Sequence, residues 1–342
     1  MARPDGAPDG PGGRNGGADR AGEGGAGSAG MKSVRVRLRS GFVSEQVSRR
    51  AVVACLLLIA SGGAPLHDSP ILPPEARDLW PGRGTVIRRG RLSTVVGSGA
   101  SSGGEDARGA ADDDKGGGKG GDGKDGGGSG GGGLEELAVR ADRAGLRVAR
   151  VLGRPVRPLV IVPDSAQEAA RLARVARVDG LAAMADGGRV IVVPELFATL
   201  TPTGKDVVLA HELTHVAAGT DGLPIWLYEG FADYVGYRDA GLPVTTVAAE
   251  LAAEVRAGRL PDALPGSADF AADGRDPARP ARAYQEAWLA CRFLADRFGE
   301  ETLVRLYRAA RTTGADRALA ARGLTVATLT ARWRAYVRDQ LG

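Results

Sequence analysis

The spacing of apolar residues changes several times along the 342-residue chain, and each change marks an element. Residues 51–60 form an apolar run behind a basic stretch that carries Lys32, Arg35, Arg37, Arg39, Arg49 and Arg50. The run has neither a helical nor an alternating period. It therefore reads as the apolar part of an export signal or, continued by Ala64 to Leu66, as an uncleaved anchor. A buried core helix is the rival reading, and the basic flank disfavours it. From Trp80 the pattern becomes that of a folded domain. Residues 84–97 read as a hairpin or two short strands, 134–152 as a helix, 159–162 as a strand ended by Pro163, 165–175 as a second helix and 189–193 as another strand. Helical spacing then dominates, over 204–218, 224–237, 245–257, 281–298, 301–312 and 325–341, with no period of repeat length. Strands mixed with helices, followed by helices alone, predict an α+β domain over 80–342 whose C-terminal part is mainly helical.

Two stretches carry no such pattern, and composition explains them. Much of the excess among 53 glycines lies in 1–30 and 98–133, where too little apolar surface exists to offset the entropy of ordering, so both read as disordered. The first precedes the export signal or membrane anchor, assigned to 31–66. The second falls inside the 80–342 domain as a surface insertion or, on composition alone, as an interdomain linker. Arg49-Arg50 also resembles a twin-arginine signal, with Val52 where that pattern prefers Phe. Cys55 has its apolar residues behind it rather than ahead, so lipidation is not expected. The expected location is extracytoplasmic, either secreted or anchored to the cell membrane through the N-terminal segment. Lys and Arg number 45 against 41 Asp and Glu, a net +4 without a basic stripe, so nucleic acid is not an expected partner. Two cysteines exclude a disulfide-rich scaffold and a multi-thiolate zinc site, and three histidines exclude a His-rich metal cluster.

Two of those histidines stand in the segment Ala210-His211-Glu212-Leu213-Thr214-His215. On a helix with Thr203 as N-cap and Gly219 past its end, His211 and His215 project from one face, so both imidazoles can ligate one Zn²⁺. Glu212 sits about 100° around that helix from His211, close enough to act as a base toward a metal-held water without ligating. This is the HExxH arrangement, to be weighed against a core helix with two satisfied histidines. A third ligand is needed, and two carboxylates compete. Asp221 lies ten residues after His211, where metzincins place theirs. That class needs a glycine where Ala218 stands and a Met-turn downstream, yet Met1, Met31 and Met184 all lie upstream. Glu229 lies 14 residues after His215, within Trp226-Leu227-Tyr228-Glu229-Gly230-Phe231-Ala232-Asp233-Tyr234. Glu229 and Asp233 share a helical face, so one can ligate while the other hydrogen-bonds the free nitrogen of a ligating His. The plain alternative is a solvated acidic face, against which the aromatic neighbours argue.

HELTH followed by WLYEGFADY resembles the gluzincin branch of the zinc metallopeptidases, most nearly the peptidase MA-like proteins exported by bacteria, over about residues 83–341. The resemblance implies a zincin-like domain, with a small sheet packed on the HExxH helix and substrate extended along an edge strand, for which 189–193 is the candidate. It implies Zn²⁺ as cofactor, His211, His215 and Glu229 as ligands, Glu212 as general base and Asp233 as the residue that orients His211. Hydrolysis of peptide bonds in a peptide or protein substrate is the implied activity. Tyr284, near the start of the helix over 281–298, is the candidate to steady the oxyanion, with a core aromatic as the other reading. The spacing from His215 to Glu229 is shorter than in aminopeptidases of this branch, which leaves the substrate class open. Two further readings stand beside this one. The first is a non-catalytic exported zinc-binding or interaction domain, against which the intact Glu212 speaks, and the second is a zinc hydrolase of non-peptide amides.

Overall fold

Short runs of β-branched and apolar residues make the strands, and tight turns set their order. Thr85–Arg89 (β1) and Thr94–Ser98 (β2) pair antiparallel, with Ile87 opposite Val96, so residues 84–97 form the expected hairpin. This computed structural model describes residues 79–80, 84–99, 129–271 and 275–342; the stretch at 1–30, the export signal at 31–66 and most of the insertion at 98–133 lie outside them. At its described ends the insertion is shorter than expected. Ser98 closes β2, and helix α1, Ser129–Leu152, begins ahead of the expected start at Leu134, since each residue added to an existing helix gains a backbone bond.

Leu159–Val162 (β3) runs parallel to β2 and to Arg189–Val192 (β5), and Ala183–Asp186 (β4) pairs antiparallel with β5, giving the order β1-β2-β3-β5-β4. The sequence reading lacks β4, because Ala-Met-Ala-Asp has little strand propensity. It forms through Gly187 and Gly188, whose φ of 53° and 88° make the two-residue turn that returns the chain as β5. The expectation that 189–193 is an edge strand is thereby corrected: β5 is flanked on both sides, and β4 holds the edge.

Successive strand residues face opposite ways, and each face has its own core. Val95, Val160, Val190 and Val192 join the larger cluster together with Leu137, Ala141, Ala144 and Val148 of α1. Val96, Ile161, Met184 and Ile191 join a smaller one with Ala169, Ala170 and Leu172 of α2 (Ala166–Leu172), whose N-cap is Ser165. Beyond the sheet come α3 (Pro194–Ala198), α4 (Pro202–Ala218) and α5 (Ile225–Tyr237). The helix expected over 245–257 is instead two, α6 (Val244–Val247) and α7 (Ala249–Arg256). Ala248 leaves helical geometry at φ −103° and ψ 45°, after four β-branched residues. A 3-10 turn, Ser267–Phe270, leads to α8 (Arg279–Phe298), α9 (Glu300–Thr313), α10 (Ala315–Ala320) and α11 (Val326–Leu341). The fold is thus α+β, a small mixed sheet with a mainly helical C-terminal part.

One carboxylate ties the hairpin to α1. Asp142 accepts the backbone N–H groups of Arg91 (2.6 Å), Leu92 (3.0 Å) and Ser93 (2.8 Å). Partial burial pushes the Asp142 pKa up, but these hydrogen bonds outweigh it and hold the carboxyl below the usual aspartate range. Asp142→Ala is expected to cost about 1–3 kcal/mol in urea unfolding, because three donors lose a charged acceptor. A depressed folded-state pKa means that this difference is fully present above about pH 4 and shrinks as pH falls through the folded value, which unfolding curves at several pH values check.

Candidate metal centre

α4 is buried without a break from Val207 to Thr214, so its polar side chains must find partners inside the protein. Pro202 is pre-shaped for the first helical position, and the cap is therefore Thr201 rather than the expected Thr203. Its hydroxyl oxygen accepts the Gly204 N–H at 3.1 Å. At the other end the carbonyls of Ala217, Ala218 and Gly219 receive Arg154, Arg311 (2.7 Å) and the Tyr307 hydroxyl (2.5 Å) respectively. Both ends of the helix are thus satisfied. Only residues 219–224 separate it from α5, which returns antiparallel.

Two glycines let α5 pack closely against its neighbours, Gly230 against α8 and Gly236 against α4. A Cβ on Gly230 would stand 2.1 Å from the Ala287 carbonyl oxygen of α8, and one on Gly236 would stand 3.1 Å from the Val207 carbonyl oxygen of α4. On the face that carries Gly236, α5 presents Glu229 and Asp233 to α4. Asp233 Oδ1 accepts the Nδ1–H of His211 at 2.8 Å, which leaves the His211 Nε2 lone pair facing inward. His211 Nε2 lies 3.0 Å from His215 Nε2 and 3.3 Å from Glu229 Oε2, and His215 Nε2 lies 3.7 Å from the same oxygen.

These three atoms form a triangle whose sides suit a cation at its centre. Tetrahedral zinc with bonds of about 2.0–2.1 Å has ligand-to-ligand edges of about 3.3–3.4 Å, and the observed separations bracket that length. Glu229 Oε2 is buried without a hydrogen-bond partner, and so is His215 Nδ1. A buried carboxylate oxygen left without a donor is costly, and a cation between it and the two imidazoles removes the cost. The electrostatics agree. Burial opposes charge on His211, yet the carboxylates of Asp233 and Glu229 outweigh it and hold the imidazole pKa well above its usual value. Burial likewise opposes ionisation of Glu229, but the two imidazoles prevail and hold its carboxyl at about 2. For Asp233 burial prevails and pushes the carboxyl up. The cluster attracts positive charge, and its two imidazoles and one carboxylate are a set able to hold a metal ion.

The other expected residues sit as follows. Glu212 is buried on α4 next to His211. Asp221, the competing third ligand, is an exposed turn residue paired with Arg311 at 3.5 Å, and it takes no part in the cluster. Tyr284 is buried in α8 with its ring edge-on to Phe270, centroids 4.9 Å apart. Sequence reasoning passed over Tyr228, whose ring stands edge-on to His215 at 6.0 Å; its signal was its place beside Glu229. Compared with known proteins, the chain matches no family model and no curated protein.

The three acidic side chains are distinguishable in solution. Glu229→Ala is expected to abolish tight zinc binding and Asp233→Asn to weaken it by about 10–100-fold, while Asp221→Ala leaves it nearly unchanged. Zinc titrations of the purified variants against a competing chelator measure all three.

Proposed function

We propose that this chain is an exported zinc-dependent peptidase of the gluzincin kind, related in design to the peptidase MA-like proteins, with a zincin-like domain as its working part. The observation that carries the reading is the convergence of His211, His215 and Glu229 on one point, with Asp233 fixing the His211 ring and Glu212 next to it on the same buried helix. A metal held only for structure has no use for a carboxylate in the position of Glu212.

His211, His215 and Glu229 would hold the ion, and Asp233 would keep the His211 ring in the tautomer that turns Nε2 toward it. Zn²⁺, when bound, supplies Lewis acidity, lowering the pKa of water and polarising a carbonyl. The Glu212 carboxylate takes the proton of the attacking water and returns it to the nitrogen of the leaving amine. Three protein ligands of this kind would be the number that catalytic zinc sites use. The substrate is a peptide or protein. Strand β4 supports this assignment, since it pairs with β5 along one edge and has no paired strand along the other among the described residues, where an extended peptide can add. Export rests on the basic and apolar pattern of 31–66; among the described residues no helix is long and apolar enough to cross a membrane.

Glu212→Gln is expected to bind zinc as the parent does while losing hydrolysis by at least about a hundredfold, because the base is removed and the ligands remain. Release of fragments from an unbiased peptide mixture, followed by mass spectrometry beside a zinc assay, checks both halves. Unchanged hydrolysis in the zinc-loaded variant contradicts the mechanism.

A further inference from the structure

The two central helices meet in a ladder with one rung per turn. His215 and His211 face Glu229, His211 faces Asp233, and Val207 faces Gly236. Glu229, Asp233 and Gly236 lie four and three residues apart and so share one face of α5, just as Val207, His211 and His215 share one face of α4. The Val207 and Gly236 rung is where the backbones come closest. A methyl group at residue 236 would lie 3.1 Å from the Val207 carbonyl oxygen, 3.3 Å from its Cγ1 and 3.7 Å from the His211 Cβ. The first two separations are tighter than ordinary contact, so with a side chain there Val207 must give by a few tenths of an ångström. Alanine is the better helix former, and helix stability alone gives no reason for glycine in that turn.

A second contact acts on the same residue from a third helix. Arg147 of α1 donates from Nη1 to the Gly236 carbonyl oxygen at 2.6 Å, and its Nε lies 3.7 Å from Asp239 Oδ2. Arg147 therefore anchors the C-terminal end of α5 to α1, while Gly236 lets that end settle against α4. We propose that Arg147 and Gly236 form a clamp that positions Asp233 and Glu229 against the histidine pair and so sets metal affinity from outside the ligands. Both are positioning residues. The inference rests on reading the three-residue cluster as a metal site, where a shift of a few tenths of an ångström is already a large part of the roughly 0.5 Å within which such side chains must be held.

The test uses the purified full chain with Zn²⁺ and Co²⁺ as probes, measuring affinity by chelator competition and ligand geometry from the visible d–d bands of the Co²⁺ form. Far-UV circular dichroism identifies the folded variants. Gly236→Ala and Arg147→Met are expected to stay folded, to bind both ions about tenfold or more weakly and to show shifted d–d bands. Arg147→Lys keeps a donor and loses less. Gly133→Ala, at a helical position with nothing within 4 Å of its Cβ, keeps the parent affinity and spectrum. A folded Gly236→Ala and a folded Arg147→Met with parental affinity and bands would overturn the clamp. If the parent chain binds neither ion, the metal-site reading fails instead, and the two failures are told apart by the parent titration alone.

Discussion

Two imidazole nitrogens held 3.0 Å apart between packed helices, with a carboxylate oxygen 3.3 and 3.7 Å away, need positive charge among them. A proton on one ring satisfies part of that need. A divalent ion satisfies all of it, because it engages both lone pairs and the partnerless Glu229 Oε2 at once. Taking ionised groups out of water costs several kcal/mol each, so such a cluster persists only where the fold pins it firmly. The surrounding elements can be understood as the means of that pinning.

α4 is the centre. The sheet, α1 and α5 all pack on it, its first turn is capped locally by Thr201, and its last carbonyls receive hydrogen bonds from α9. α5 is in turn pressed between α4 and α8, with Gly236 at the first contact and Gly230 at the second. Cys291 of α8 lies behind this helix, its thiol donating weakly to the Leu227 carbonyl at 3.7 Å. α9 contributes Tyr307 and Arg311, which hold the end of α4 just past His215. The three residues able to hold a metal ion therefore sit on two helices rather than on loops, and packed helices hold such a group in place more precisely than loops do.

Much of this could be read from the sequence because helical spacing is a local property. The four-residue interval between His211 and His215, and again between Glu229 and Asp233, fixes which side chains share a face whatever the tertiary fold. The aromatic neighbours of Glu229 correctly marked α5 as packed. What stayed hidden depends on contacts between distant segments. Ala183–Asp186 becomes a strand only because the Gly187-Gly188 turn brings β5 alongside it, and that pairing moves the sheet edge away from residues 189–192. The value of Gly236 exists only in the presence of Val207 and Arg147, which precede it by many residues. Thr201 could have been chosen over Thr203 from Pro202 alone, since proline favours the first helical position.

X-ray absorption at the zinc edge, recorded on the zinc-loaded full chain, addresses the central claim directly. The expected result is one zinc per chain, two imidazoles identified by their ring scattering, and only nitrogen and oxygen ligands at about 2.0–2.2 Å. Sulfur at about 2.3 Å, a shell without imidazole, or a chain that retains no zinc would contradict it.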